Sequence, residues 1–289
     1  MKRLAIIVLL GTGLVSPAFS QTVDSLKISG TRIDVDLYGN IFVVDAARNL
    51  LSVYSSTTGD LLNQMGGEGW GNEQFDRPVG ISAWNGIDVF VADYGNHRIQ
   101  RFDRGLNFIS SFSTRGADDL DIRFGYPGDV VLSRLGDLFI CDTENGRILK
   151  VNNLSQVEKI FGGYDAGAGR LVAPSQVEIG PKDVVYVLDE NRILMFDVFG
   201  NFVQELMPGL FRRPSAIFAT PDEVLVLDRG MLFLFDQENR PAPAVSIAEI
   251  TAGFVKGGEV MSLGVDRDKL FLLTTHDLYV VRRPPTPKN

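Results

Sequence analysis

Residues 91–103 read VADYGNHRIQRFD. The stretch places Asp93, Asn96, His97 and Arg98 close together, residue types that serve catalytic and metal sites as readily as they serve turns. Comparison along the chain separates those alternatives. Apolar runs ending in an acidic residue recur: IFVVD at Asp45, VFVAD at Asp93, LFICD at Asp142, VYVLD at Asp189 and VLVLD at Asp228, with LFLLT ending at Thr274. The successive intervals are 48, 49, 47, 39 and 46 residues. A period of this size is the mark of a repeat architecture.

Each copy has the same order of parts. An apolar stretch comes first, usually after Pro or Gly: GTRIDV, RPVGIS, YPGDVV, APSQVE, RPSAIF and, more loosely, VMSLGV. A tight turn follows, such as Tyr38-Gly39-Asn40 or Leu135-Gly136-Asp137, and then the run ending in Asp. A short polar turn leads to a third run (LLSVY, RIQRF, RILKV, RILMF, MLFLF, DLYVV), and a weaker fourth run closes the copy (DLLNQM, FISSFS, VEKIFG, FVQELM). Gly, Asn, Asp and Pro supply the backbone angles of hairpin turns, while β-branched and aromatic residues fill the runs between. No window shows an apolar stripe of helical period.

Tandem four-stranded units of about 40–50 residues predict an all-β chain folded as a six-bladed β-propeller of antiparallel blades. The sixth copy runs into RRPPTPKN, which cannot supply a fourth strand, whereas DSLKIS at residues 24–29 precedes the first copy as a spare one. Donating that N-terminal strand to the last blade closes the ring and removes two open sheet edges.

The copies FDRPVGISAWNGIDVFVADYGNHRIQRFD and FGYPGDVVLSRLGDLFICDTENGRILKVN resemble NHL repeats. The connector GGEGWGNEQFDRP at residues 66–78 is similar to the glycine-rich linker between NHL blades. The resemblance extends over residues 24–283 and weakens in the last two copies, where Arg-Gly-Met follows Asp228 and Thr274 replaces the Asp. It implies a six-bladed propeller with a central channel, a fold that carries enzymes, ligand binders and interaction modules alike.

The N-terminus, MKRLAIIVLLGTGLVSPAFSQ, pairs Lys2 and Arg3 with an apolar run and the small residues Ala18 and Ser20. This is the pattern of a signal peptide over residues 1–20, cut before Gln21. A propeller over 21–283, a disordered tail over 284–289 and delivery to the periplasm or the exterior are the corresponding expectations. No run reaches the ~20 apolar residues of a membrane span. Formal net charge is −8 and no basic run is present, which argues against nucleic acid as partner. The single cysteine, Cys141, excludes an intrachain disulfide. A monomer without a cofactor is expected.

His97 falls in the turn between second and third strands, where its counterparts by alignment are Leu50 and Gly146, so the repeat does not demand a histidine. The Asp opening that turn suits a loop-fixing acceptor role, and Arg98, Arg147 and Arg192 recur beside it. Two histidines and one cysteine, scattered at 97, 276 and 141, make a poor zinc set. Asp34, Asp129 and Glu178 on inner strands leave open a carboxylate-bound Ca²⁺ and a lactonase- or esterase-like hydrolase in the central funnel. The cluster Asp118, Asp119 and Asp121 is an acidic loop that could also hold calcium.

Strand alternation puts the links between blades and the turns between second and third strands on one face. That face is expected to carry Trp70, Tyr94, His97, Tyr126 and Arg212 as contacts for a protein, peptide or glycan. Where the first strands begin, Arg32, Gly80, Asp129, Gln176, Ala216 and Ser262 share one register. Arg32, Asp129, Gln176 and Ser262 among them are the expected ligand contacts at the channel mouth. A binding module is the leading expectation, and the metal-dependent hydrolase is the alternative.

Overall fold

The computed structural model of the chain describes residues 24–153, 155–255 and 260–285. The signal peptide expected over 1–20, and the tail beyond 285, lie outside the described residues. Six four-stranded antiparallel sheets form the blades of a propeller. Their inner strands are Arg32–Val35, Pro78–Ser82, Pro127–Leu132, Pro174–Ile179, Pro214–Ala219 and Val260–Asp266, numbered here as blades I to VI. Four of these begin with Pro, which donates no ladder bond and so suits the first residue of an edge strand.

The ring closes as the spare strand requires. Asp24–Leu26 pairs antiparallel with Leu278–Arg282, setting Asp24 opposite Val280 and Leu26 opposite Leu278, and so completes blade VI. Just beyond the pairing, Ile28 enters the apolar seam between blades VI and I with Ile33, Ile41, Phe271 and Leu273.

The core is not one body but six seams, each between neighbouring blades. Phe42, Leu51, Ile81 and Phe102 fill the seam of I and II, and Phe90, Ile99, Val130 and Ile140 that of II and III. Three further clusters fill the remaining seams up to V and VI. Second strands are buried on both sides, which is why IFVV and VLVL read as continuous apolar runs. Each such Leu, Ile or Phe contributes roughly 1.5–3 kcal/mol of burial. Cys141 is one of these core residues, fully buried in the seam of III and IV.

Two details differ from the sequence expectations. Asp45 pairs with Leu50 as Asp93 pairs with Arg98, so the counterpart of His97 in blade I is Asn49, not Leu50. Asn49 (φ 57°), His97 (φ 51°) and Gly146 (φ 60°) all adopt the left-handed conformation that the turn imposes. In blade V the fourth strand is only Val245–Ser246, followed by one helical turn, Ile247–Ile250. Ile247 and Ile250 pack into the seam of V and VI. A single turn is too short to show a period in sequence.

Candidate functional site

The inner strand of every blade is a sheet edge, so alternate N–H groups point away from the second strand and lack ladder partners. Buried N–H groups need acceptors, and side chains of the preceding blade supply them. Ser262 Oγ accepts from Ile33 N–H, Asp34 Oδ2 from Ala83 N–H at 2.6 Å, and Ser82 Oγ from Leu132 N–H. Asp129 Oδ2 accepts from Val177 N–H and Gln176 Oε1 from Ile217 N–H. Glu178 accepts from Ala219 N–H. The acceptors occupy two adjacent rings, the register of Arg32 and the register two residues further on.

The residues expected at the channel mouth take part in this network. Arg32, Asp129 and Ser262 share one register and are buried; Ser262 binds the next blade, while Arg32 and Asp129 bind each other across the axis. Gln176 is half-buried and spans to blade V, donating to Ser215 O as well. Gly80, at the same register, is required by closeness: a Cβ there would stand 2.5 Å from Asp129 Oδ1 and 2.6 Å from its Cα.

On the axis Arg32 meets two carboxylates, with Nη2 2.7 Å from Asp129 Oδ2 and 3.1 Å from Glu178 Oε1. Asp34 lies close enough to act on the same charges. Burial pushes Asp34 up to about 6, against the pull of the Ala83 and Val35 N–H groups. It pushes Asp129 up to about 6, with Arg32 opposing. The Glu178 carboxyl is raised well above the usual range, again by burial first. For Arg32 burial works against the charge, but Asp129 and Glu178 more than offset it and hold the guanidinium ionised. The three carboxylates considered for Ca²⁺ are therefore brought together, with a guanidinium already seated between two of them.

A cavity of about 480 Å³ lies on the face formed by the hairpins between first and second strands, opposite the links. Asp34, Ser82 and Glu178 are in its lining, with Ile81, Trp84 and Phe218. Trp84 donates its indole N–H to Leu132 O at 2.8 Å, which fixes the ring. The sequence expectations missed Trp84 and Phe218. Phe218 shares the register of Asp34 and Glu178, two residues beyond the ring considered, and that spacing was the available signal.

The link face gathers differently. Three of the turn Asp residues clamp the incoming link of their own blade: Asp93 accepts from Asp76 N–H, Asp189 from Val172 and Ala173 N–H, Asp228 from Arg212 and Arg213 N–H. Arg98 binds Asp93 at 2.8 Å and donates to the carbonyls of Trp70, Gly71 and Gln74. Arg147 and Arg192 repeat the role on Arg123 O and Arg170 O. Asp and Arg in the opening stretch thus belong to the architecture. Where Thr274 replaces Asp, its hydroxyl accepts from His276 and Asp277 N–H and keeps the turn.

His97 is particular to blade II. Its Nδ1 accepts from Tyr126 N–H, and its ring lies 4.3 Å from the Tyr126 ring, centroid to centroid. Tyr126 lies 5.0 Å from Tyr94, and the Arg77 guanidinium sits 4.7 Å over Tyr94. Burial, helped by Arg115, lowers the His97 pKa, so the imidazole is held neutral and free to accept. Trp70 is 64% exposed on the adjacent link, whereas Arg212 lies apart on blade V. Of the loop-face candidates, Tyr94, His97 and Tyr126 form one stack. Asp119 of the acidic loop accepts from Asp121 N–H and caps a short 3-10 turn, Leu120–Ile122.

Comparison with known proteins agrees with these repeats. The family model described as NHL repeat matches residues 75–102 and 124–151. The Drosophila melanogaster protein named "Protein brain tumor" is 29% identical over 136 residues, 46% of this chain. The match spans 12% of that relative's own length. Among solved structures, virginiamycin B lyase from Staphylococcus aureus superposes with a TM-score of 0.62 at 13% identity, over 91% of this chain and 100% of that one. A streptogramin B lyase structure gives the same score and identity over 91% and 97%. At that identity the likeness is one of fold alone. The chain thus carries NHL repeats at residues 75–102 and 124–151 within six four-stranded blades, the fold of a six-bladed β-propeller.

Proposed function

We propose that the protein is an exported binding module that engages a protein, peptide or glycan through its link face, without catalysis. The observation that carries this reading is the stack of Arg77, Tyr94, Tyr126 and His97 at the seam of blades II and III. Its rings are half-buried and preordered by packing, so presenting them to a partner costs little side-chain entropy. Aromatic and arginine side chains are the groups that anchor interfaces. Exposed Trp70 and Tyr164, the latter under Arg170 at 4.4 Å, extend the same face. The −8 charge disfavours a phosphate backbone as partner. Export rests on the signal-peptide pattern of residues 1–20.

The hydrolase alternative has less support, because the inner-strand carboxylates it would use are committed to Arg32 and to backbone N–H groups. The test is affinity capture from envelope extract and culture fluid with the wild-type chain and the Tyr94→Ala/Tyr126→Ala variant. A partner captured by the first and lost by the second, at unchanged Tm, is the expected result. A partner captured equally by both would place recognition elsewhere.

A further inference from the structure

The cavity on the hairpin face combines apolar walls with an acidic floor. Ile81, Trp84, Val130, Ile179, Phe218 and Pro221 form much of the wall. Asp34 and Glu178 form the floor, and Asp36 and Asp266 also reach the lining. The cations in the lining are Arg134 and Arg267, whose side chains are 51% and 87% exposed and so belong to the rim. Asp36 is taken up by Tyr38 N–H and Asn40, and Asp266 by Ser56. Beneath the floor, Asp129 is 1% exposed and its Oδ1 has no hydrogen-bond partner. Three carboxyl groups therefore share the one guanidinium of Arg32, so a second cation brought to the floor would favour their ionised forms under an apolar enclosure.

We propose that this cavity binds a small organic ammonium compound, its cationic head on Glu178 and Asp34 and its aromatic or branched aliphatic body against Trp84 and Phe218. The volume falls in the range of small-molecule sites, roughly 300–1,000 Å³. An ammonium head suits the floor better than a divalent cation does. Calcium takes six to eight oxygen ligands, whereas both oxygens of Asp34 already accept, from Val35 and Ala83 N–H. A carboxylate oxygen with one lone pair engaged still accepts from an N–H donor, and an ammonium needs only a few such contacts. The indole of Trp84, fixed by its bond to Leu132 O, offers apolar contact to the body. The site lies on the opposite face from the Tyr94 stack, so the two proposals stand or fall separately.

The chain has two tryptophans, so Trp70→Phe leaves Trp84 as a fluorescent reporter inside the cavity. That variant is titrated with phenethylammonium, with the neutral phenethyl alcohol and with CaCl₂. A saturable change of Trp84 emission is expected with the amine, at an affinity about tenfold or more above that of the alcohol. Glu178→Gln should weaken the amine by a similar factor; if that variant does not fold, the comparison of amine with alcohol still decides. Equal affinity for the alcohol would reduce the site to an apolar pocket and overturn the proposal. Saturation by Ca²⁺ in competition with the amine, or no saturation by roughly 10 mM amine, would overturn it as well.

Discussion

Arg32 of blade I and Asp129 of blade III hold each other at 2.7 Å, although the two blades are not neighbours in the ring. The bond crosses the axis, and Glu178 of blade IV joins it. Both partners of the pair are buried, so removing one leaves the other charged without compensation. Arg32→Met is expected to cost about 3–5 kcal/mol at pH 7. Urea unfolding measures this, and the loss should shrink near pH 4.5, where protonated carboxyls no longer need a cation. An unchanged midpoint at pH 7 would show that the cluster is not coupled as its geometry implies.

The same carboxyls predict an unusual pH dependence. Asp34 and Asp129 are raised from 3.8 to about 6, so the folded chain binds more protons than the unfolded chain between those values. Their contribution is fully present below about pH 4 and is lost as pH rises through about 6. Each shift corresponds to on the order of 2–3 kcal/mol. Stability measured from pH 4 to 7 should decline for the wild type more steeply than for Asp34→Asn. Equal slopes would contradict the assignment.

The link arginines should differ in weight. Arg98 is buried against Asp93 and three carbonyls, while the Arg192 side chain is 30% exposed and reaches one carbonyl besides Asp189. Arg98→Ala is expected to cost about 3 kcal/mol or more, and Arg192→Ala only about 1 kcal/mol. Arg98→Lys should recover little, since a single ammonium cannot replace the planar fork. Denaturant midpoints of the three variants check the order.

Ring closure is tested by deleting Asp24–Leu26. The deletion exposes the edge of Leu278–Arg282 and removes the pairing that holds the ends of the chain together. A fall in Tm of about 5 °C or more is expected, at about 2–4 °C per kcal/mol for a domain of this size. An unchanged Tm would mean that the ring holds without its N-terminal strand.

Much of this architecture was legible before any coordinates, because it is periodic. The recurring Asp, the Pro at the start of inner strands and the spare strand at residues 24–29 are signals repeated or completed along the chain. The shared register of Arg32, Asp129, Gln176 and Ser262 was legible too. Their burial was not, since it depends on how closely the blades approach the axis, and Gly80 against Asp129 shows how close that is. The Tyr94, His97 and Tyr126 stack joins residues from two blades, so alternation placed them on one face but could not show contact. Trp84 stayed hidden because it lies past the end of its inner strand, and Phe218, though in the register of Asp34 and Glu178, shows its role only where blades enclose the cavity.

On the proposed reading, recognition belongs to the link face at the seam of blades II and III. Hydrogen–deuterium exchange of the chain, alone and saturated with its captured partner, tests it most directly. Protection is expected over residues 68–77, 93–98 and 123–127, with the hairpins at 36–40, 134–137 and 180–183 unchanged. Protection confined to those hairpins would contradict it.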